Sequence, residues 1–215
     1  MGHHSFIASL FSMTDEQAMW RLQTQDDHAA FAQLVDRWGE PILRLCGRMT
    51  GDPHRGEDLK QEAFARVFAK RKDFRPGAKF STWLWRLALN LCYDELRKTQ
   101  RRGERPLDGE QNDEGLRPLE YATDAPDPCE NLVREEEDQL VRQALLRLPE
   151  PQRTVLVLRY CEGLKLREIA EILDLPETTV SSRVAVGLAL LTRILEPQFD
   201  QRPLRPGKSV VTSLI

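Results

Sequence analysis

Apolar residues recur at helical spacings of three and four along most of this 215-residue chain, and almost no segment alternates as a β-strand would. The repeat stops over residues 103–129, which contain four prolines, many acidic residues and few large apolar ones. Such a stretch buries too little apolar surface to offset the entropy lost on ordering. The sequence therefore predicts an all-α protein with two small helical domains joined by a flexible acidic linker.

The apolar spacing also sets approximate helix and domain boundaries. Before the linker, we predict helices near residues 14–24, 27–49, 53–72 and 79–98, and after it near 130–147, 150–161, 165–173 and 177–195. Pro41 is expected to kink or divide the second of these helices. The predicted units are an N-terminal extension with the first helix (1–26), a helical domain (27–102), the linker (103–129), a second helical domain (130–196) and a tail (197–215).

The composition excludes several protein classes. No apolar run approaches the roughly 18–20 residues that span a bilayer, which argues against a transmembrane protein. None of the cysteines forms a C-x-x-C pair or has a histidine at zinc-ligand spacing; they are Cys46, Cys92, Cys129 and Cys161. We predict reduced, mostly buried thiols in a reducing compartment, and we expect no metal and no cofactor.

Charge is distributed unevenly along the chain, although the formal net charge is only −3. Residues 20–103 carry 17 basic and 11 acidic side chains, and residues 104–138 carry 3 basic and 13 acidic ones. The basic half is suited to nucleic-acid backbones. The acidic connector is interpreted either as a solvated spacer or as a segment that shields a basic face.

Residues 166–184 have the features of a helix-turn-helix. Ala170 is small where two helices would meet, and Pro176 stands where a second helix would begin. Short hydroxyl side chains and an arginine then remain on the outward side, at Thr178, Thr179, Ser181, Ser182 and Arg183. Such residues reach base edges and phosphates in a major groove. The alternative is an ordinary αα-hairpin within a helical bundle.

An aromatic and basic segment, FAKRKDFRPGAKFSTWLWR, covers residues 68–86. Cations beside aromatic rings suit unpaired bases, which stack on the rings while the cations bind the backbone. The helical spacing of Phe80, Trp83 and Leu84 predicts mainly core positions. Trp85 and Arg86 lie on another face, and they are predicted to contact nucleic acid.

A group of charged and amide side chains, Glu57, Asp58, Lys60, Gln61 and Glu62, begins the third predicted helix. Acidic groups suit the positive end of a helix. They could equally offer an acidic face to a basic protein partner, and a catalytic carboxylate pair is a third interpretation. No histidine, metal-ligand set or glycine-rich phosphate loop accompanies them, which argues against catalysis.

Three stretches in this order resemble the extracytoplasmic-function (ECF) group of bacterial RNA polymerase sigma factors. They are EDLKQEAF (57–64), FSTWLWRLALN (80–90), and LPEPQRTVLVLRY (148–160) running into the helix-turn-helix. The resemblance covers residues 27–102 and 139–195. It implies a non-enzymatic, cytoplasmic protein that directs promoter-specific initiation, melting the minus-ten element and reading the minus-thirty-five element.

The resemblance also implies roles for individual residues. Contacts with core polymerase, specifically its beta-prime subunit, are implied for Asp58, Leu59, Gln61 and Glu62. Contacts with the minus-ten strand are implied for Asp73, Phe74, Arg75, Lys79, Trp85, Arg86 and Asn90. Contacts with the minus-thirty-five element are implied for Glu177, Thr178, Thr179, Ser181, Ser182 and Arg183. The implied partners are core RNA polymerase (beta-prime and beta subunits), promoter DNA and an anti-sigma factor, with no insertion into a membrane.

One departure from the family pattern concerns the recognition helix. Relatives usually carry basic residues after its Ser-Arg pair, whereas residues 184–191 of this chain are uncharged. This predicts weaker anchoring to the DNA backbone, or burial of the segment against another surface such as a regulator. Two competing hypotheses are a stand-alone helix-turn-helix regulator and an enzyme acting on nucleic acid. The first has no need of the acidic face at Asp58–Glu62, and the second lacks a catalytic constellation.

Overall fold

The computed structural model describes residues 13–75, 77–103 and 139–199, and it is helical over most of them. The helices are α1 (Asp15–Gln25), α2 (His28–Thr50), α3 (Pro53–Ala69), α4 (Phe80–Gly103), α5 (139–146), α6 (Glu150–Leu156), α7 (Leu166–Leu173) and α8 (Glu177–Phe199). A 3₁₀ turn, Arg71–Asp73, follows α3, and a π-helical turn, Val157–Cys161, continues α6. The predicted linker, residues 130–138, Cys129 and most of the tail lie outside the described residues.

Polar side chains fix the starts of the first three helices, as the sequence indicates. The Thr14 hydroxyl accepts from the Gln17 backbone amide, and the Gln17 side chain accepts from the Thr14 backbone amide, so Thr14 caps α1. Asp27 and Asp52 cap α2 and α3 in the same way, each accepting from two backbone amides. Of the two effects expected at Pro41, a kink or a division, the division is wrong, because α2 continues through Pro41 and Ile42 next to it is fully buried.

The N-terminal domain contains α1 to α4. Helices α2 and α3 approach backbone to backbone, and a β-carbon on Gly56 would lie 2.9 Å from the amide nitrogen of Gly47. The long apolar face predicted for α2 is buried or half-buried. Helix α1 is tied to it by Asp15, whose carboxylate accepts from the Trp38 indole at 3.0 Å and pairs with Arg37.

The C-terminal domain contains α5 to α8, with its core between α6, α7 and α8. Val155, Leu158, Ile169 and Val180 are fully buried there. A β-carbon on Gly187 would lie 3.1 Å from the Leu156 side chain, so α8 approaches α6 closely at this glycine. This close approach accounts for a residue that lowers helix propensity in the middle of α8.

Helix α8 is unusually apolar for a helix that carries polar residues at its start. Residues 177–196 have a mean hydropathy of 1.3, and by length and composition alone they could cross a membrane, with 22% of the stretch buried. Val180, Leu191 and Leu195 of this helix pack into the C-terminal domain. The buried side is thus the core side of a folded domain, as in many soluble proteins.

Candidate functional site

The charged residues near the start of α3 form an exposed stripe, the α3 stripe, made of Asp58, Gln61 and Glu62. The side chains of Asp58 and Glu62 are 65% and 48% exposed, and each pairs with an arginine of the same helix. The exposed Gln61 amide donates to the Glu57 carboxylate. Leu59 is only 3% exposed, so the structure corrects its assignment as a contact with polymerase. The Leu59 side chain lies on the side of α3 that packs into the core of the N-terminal domain.

An apolar groove of about 460 Å³ runs beside the α3 stripe. It is lined by Phe31, Val35, Lys60, Gln61, Phe64, Ala65 and Phe68. The Phe31 ring packs against Phe64 and Phe68, with ring centroids 6.4 and 5.6 Å apart. Carboxylates beside an apolar groove can bind a protein surface that combines basic and apolar side chains.

The loop between α3 and α4 is held against α1. The Gln23 side-chain amide donates to the carbonyl oxygens of Lys72 and Phe74, at 3.1 and 3.2 Å. Arg71 pairs with Asp26 at 2.8 Å, so this cation of the predicted basic segment is already engaged within the domain. These contacts position the loop before any ligand binds.

The loop residues predicted to contact DNA divide into exposed and buried ones. Asp73, Arg75 and Lys79 are exposed. Phe74 is 6% exposed, and its ring lies 5.4 Å from that of Trp83. The structure therefore corrects the assignment of Phe74 as an accessible base contact, because its ring completes the core under the loop.

The two neighbouring tryptophans of α4 are exposed in the opposite order from the one predicted. Trp85 is 3% exposed and packs edge-on against Trp38, with ring centroids 5.9 Å apart. Trp83 is half-buried. The expected outward position of Trp85 is wrong, because α4 packs against helices on several sides and its buried arc is wide. Arg86 and Asn90 are exposed as predicted.

Arg86 joins the two domains at the C-terminal end of α7. Its guanidinium donates to the carbonyl oxygen of Ile172 at 2.9 Å and to that of Glu171. The last carbonyls of a helix lack partners within the helix and carry partial negative charge, so a cation there is favourable. The Lys79 ammonium lies 3.1 Å from the Glu171 carboxylate in the same contact.

Glu162, which follows the π-helical turn, provides a second contact between the domains. Its side chain is 2% exposed, and its carboxylate lies 2.9 Å from Arg44 and 3.6 Å from Arg48 of α2. Burial raises the pKa of the Glu162 carboxyl, and the hydrogen bond from Arg44 opposes that rise. A cavity of about 270 Å³ lies between the domains next to this contact.

Arg153 is a third link, and sequence analysis missed it. The side chain is 9% exposed and donates to the carbonyl oxygens of Met49, Leu146 and Leu148, at 2.8, 2.7 and 3.1 Å. Two of these acceptors belong to the C-terminal domain and one to α2. An arginine in a helical motif usually faces solvent, and only the three-dimensional packing identifies this one as buried.

The start of α8 presents the predicted polar residues in two groups. Glu177, Thr178, Ser181 and Ser182 are exposed, whereas Thr179 and Arg183 are half-buried. The Tyr93 hydroxyl of α4 bonds to Thr154 at 3.0 Å. Burial raises the pKa of Tyr93, and the hydrogen bond with Thr154 opposes that rise.

Comparisons with known protein families agree with this arrangement. A family model described as Sigma-70 region 2 matches residues 34–102, and one described as Sigma-70, region 4 matches residues 138–191. The ECF RNA polymerase sigma factor SigW of Bacillus subtilis is 40% identical over 171 residues, which are 79% of this chain and 90% of that protein. The RNA polymerase sigma-H factor of Pseudomonas aeruginosa is 33% identical over 186 residues, 85% of this chain and 94% of that protein.

Solved structures share the fold at lower sequence identity. CnrH, solved in complex with the cytosolic domain of CnrY, has a TM-score of 0.61 at 23% identity and covers 85% of this chain and 97% of its own. The sigma factor RpoE from Bartonella quintana, solved in complex with the anti-sigma factor NepR, has a TM-score of 0.59 at 21% identity. The match covers 77% of this chain and 96% of that protein.

Proposed function

Because the chain belongs to the ECF group of sigma-70 factors and is therefore an RNA polymerase sigma factor, we propose how its surfaces engage core polymerase and promoter DNA. The observation that carries the proposal is the α3 stripe beside its apolar groove, on the same domain as the basic loop and joined to a helix-turn-helix. A stand-alone regulator would need only the last of these three features.

The α3 stripe is the surface that binds core polymerase, through the beta-prime subunit. Its exposed carboxylates steer a basic partner, and the adjacent groove buries the apolar part of that partner. The beta subunit contacts the C-terminal domain. The sigma factor breaks no covalent bond, so it acts as a specificity subunit and not as an enzyme.

The exposed loop residues Asp73, Arg75 and Lys79, together with Arg86 and Asn90 of α4, bind the minus-ten strand as it separates. Melting costs a few kcal/mol per unstacked base, and capture of the unpaired strand offsets that cost. Lys79 and Arg86 are engaged by α7 in the closed arrangement of the domains. Binding of the minus-ten strand therefore requires α7 to leave α4.

Helix α8 binds the minus-thirty-five element in the major groove, with Glu177, Thr178, Ser181 and Ser182 at its outward start. In this proposal residues 27–102 and 130–196 are the two functional domains, and residues 103–129 connect them through polymerase. The protein acts in the cytoplasm, and an anti-sigma factor controls it.

Transcription on duplex and pre-melted templates tests the minus-ten assignment. We expect Arg75→Ala and Lys79→Ala to reduce transcripts from duplex promoters, and a template whose minus-ten strands are mismatched to restore them. The Asp58→Arg variant serves as the control, since a defect in binding core polymerase is not rescued by mismatched strands. Equal loss on both templates for the loop variants would contradict a role in melting.

A further inference from the structure

The outward face of α8 continues beyond its polar start as a stripe of small apolar side chains. Exposed residues recur one turn apart, first with hydroxyl groups at Thr178, Ser181 and Ser182, then with methyl groups at Ala185 and Val186. Val186 is 46% exposed, which is high for a β-branched apolar residue in a folded domain. Among the residues that the structure describes, Trp20 and Val186 are the large hydrophobic side chains that remain exposed.

The length of the stripe matches the width of the DNA major groove. A helix rises about 1.5 Å per residue, so Thr178 and Val186 are separated by about 12 Å along the axis. The major groove of B-DNA is also about 12 Å wide. With the start of α8 in the major groove, Ala185 and Val186 lie two turns from Thr178 on the same exposed face, and Ala189 lies one turn farther from that start.

The stripe lacks the side chains that read guanine or adenine with paired hydrogen bonds. From residue 178 to residue 189, its exposed members include no arginine, lysine, asparagine or glutamine. The one cation in this interval, Arg183, is half-buried. The remaining means of direct readout are hydroxyl groups and contact with the thymine 5-methyl group.

We propose that Ala185 and Val186 determine part of the minus-thirty-five specificity by packing against thymine methyl groups in the major groove. This inference rests on the proposed role of α8 at that element. The inference predicts that the minus-thirty-five element contains at least one A·T pair whose thymine methyl group faces the third turn of α8. The inference also assigns a function to part of residues 184–191, the uncharged segment of α8 where relatives usually carry basic residues.

The test uses the full-length protein with core polymerase. Promoters are first selected from a pool randomised upstream of a fixed minus-ten element, and each selected thymine is then replaced singly by deoxyuridine, which lacks only the methyl group. At one position we expect about a fourfold loss of transcript, the equivalent of about 0.8 kcal/mol for one buried carbon. Val186→Ser should abolish the difference between thymine and deoxyuridine there, and the matched control Ala189→Ser should keep it.

Three results would overturn the inference, and they are distinguishable from failure of the proposed function. Selected elements with no thymine, deoxyuridine templates as active as thymine templates, or a difference that survives Val186→Ser would each contradict methyl readout while transcription persists. A total absence of transcripts from the selected pool would instead contradict the proposed function, and the inference with it.

Discussion

The N-terminal and C-terminal domains achieve close helix packing by partly different means. In the N-terminal domain, α2 and α3 meet at Gly47 and Gly56, where backbone contacts backbone and apolar side chains fill the space on either side. In the C-terminal domain, the connection between α5 and α6 is held by a buried guanidinium, that of Arg153. Both domains thus use glycine where helices approach closely, at Gly47 and Gly56 in one and at Gly187 in the other, and the C-terminal domain adds a buried guanidinium.

This difference determines how each domain depends on the other. The glycine contact lies entirely within the N-terminal domain, whereas Arg153 also donates to the Met49 carbonyl of α2. Arg86 and Glu162 add two further contacts across the boundary. Several polar groups of the C-terminal domain therefore have hydrogen-bond or ion-pair partners in the N-terminal domain. Separation of the domains removes these partners, so we expect it to alter the C-terminal domain more than the N-terminal one.

The largest expected effect comes from removing the buried guanidinium. Arg153→Met leaves three carbonyl oxygens without a donor, and we expect a loss of about 3 kcal/mol in the free energy of unfolding. Urea denaturation followed by circular dichroism measures it. Arg147→Met, at an exposed position directly after the end of α5, serves as the control. If both variants unfold at the same urea concentration, the buried guanidinium of Arg153 does not organise the C-terminal domain.

A smaller loss is expected at the glycine contact. Gly56→Ala forces a β-carbon to 2.9 Å from a backbone nitrogen, and overpacking of this kind costs about 2 kcal/mol. Gly47→Ala is the matched control, because a β-carbon there has no neighbour within 4 Å, and it should raise stability by about 0.5–1 kcal/mol. Thermal denaturation of the two variants compares them directly. Similar midpoints would show that the backbones do not meet at this point.

Removal of the contact between Arg86 and α7 tests whether this contact holds the two domains together. Arg86→Ala removes two hydrogen bonds to helix-terminal carbonyls, which should shift the equilibrium towards open molecules by roughly fivefold, or about 1 kcal/mol. Small-angle X-ray scattering should show a larger radius of gyration. Arg97→Ala, on the same helix and paired with Asp94 of that helix, should leave the radius of gyration unchanged. An unchanged radius of gyration in both variants would show that the contact between Arg86 and α7 does not hold the domains closed.

A further prediction concerns thiol reactivity and distinguishes the two cores. Cys46 and Cys92 are fully buried with their sulfur atoms 3.7 Å apart, and the hydrogen bond between them, together with burial, raises the pKa of Cys92. A raised pKa lowers the thiolate fraction at pH 8, and thiolate is the reactive form. Alkylation followed by mass spectrometry should label the half-buried Cys161 at least tenfold faster than Cys92. Equal rates would show that the N-terminal core opens as readily as the C-terminal one.

Helices and caps could be predicted from the sequence because they depend on local chemistry. Thr14 begins α1, Pro53 stands at the first position of α3, and the exposed residues at the start of α8 follow the turn before them. The family and its two-domain plan were also predicted correctly, since three motifs in a fixed order carry that information. The direction of individual aromatic rings could not be predicted in this way.

The residues that sequence analysis misplaced or missed lie where several helices meet. Trp85 and Phe74 were expected at the surface, but α4 packs against several helices and needs a wide apolar arc. Glu162 and Arg153 look like ordinary surface charges in the sequence. Their burial depends on contacts between residues 104 and 118 positions apart in the chain, Arg153 with Met49 and Glu162 with Arg44, which no local pattern encodes.

The most direct test of the account is run-off transcription with purified bacterial core polymerase on a pool of genomic promoters. The wild-type protein should give discrete transcripts. Asp58→Arg/Glu62→Arg should reduce them at least tenfold and abolish co-elution with core polymerase. Asp36→Arg/Glu196→Arg, the same charge change at exposed residues off the α3 stripe, should keep both. Undiminished transcription by the α3 variant would contradict the assignment of this stripe as the polymerase-binding surface.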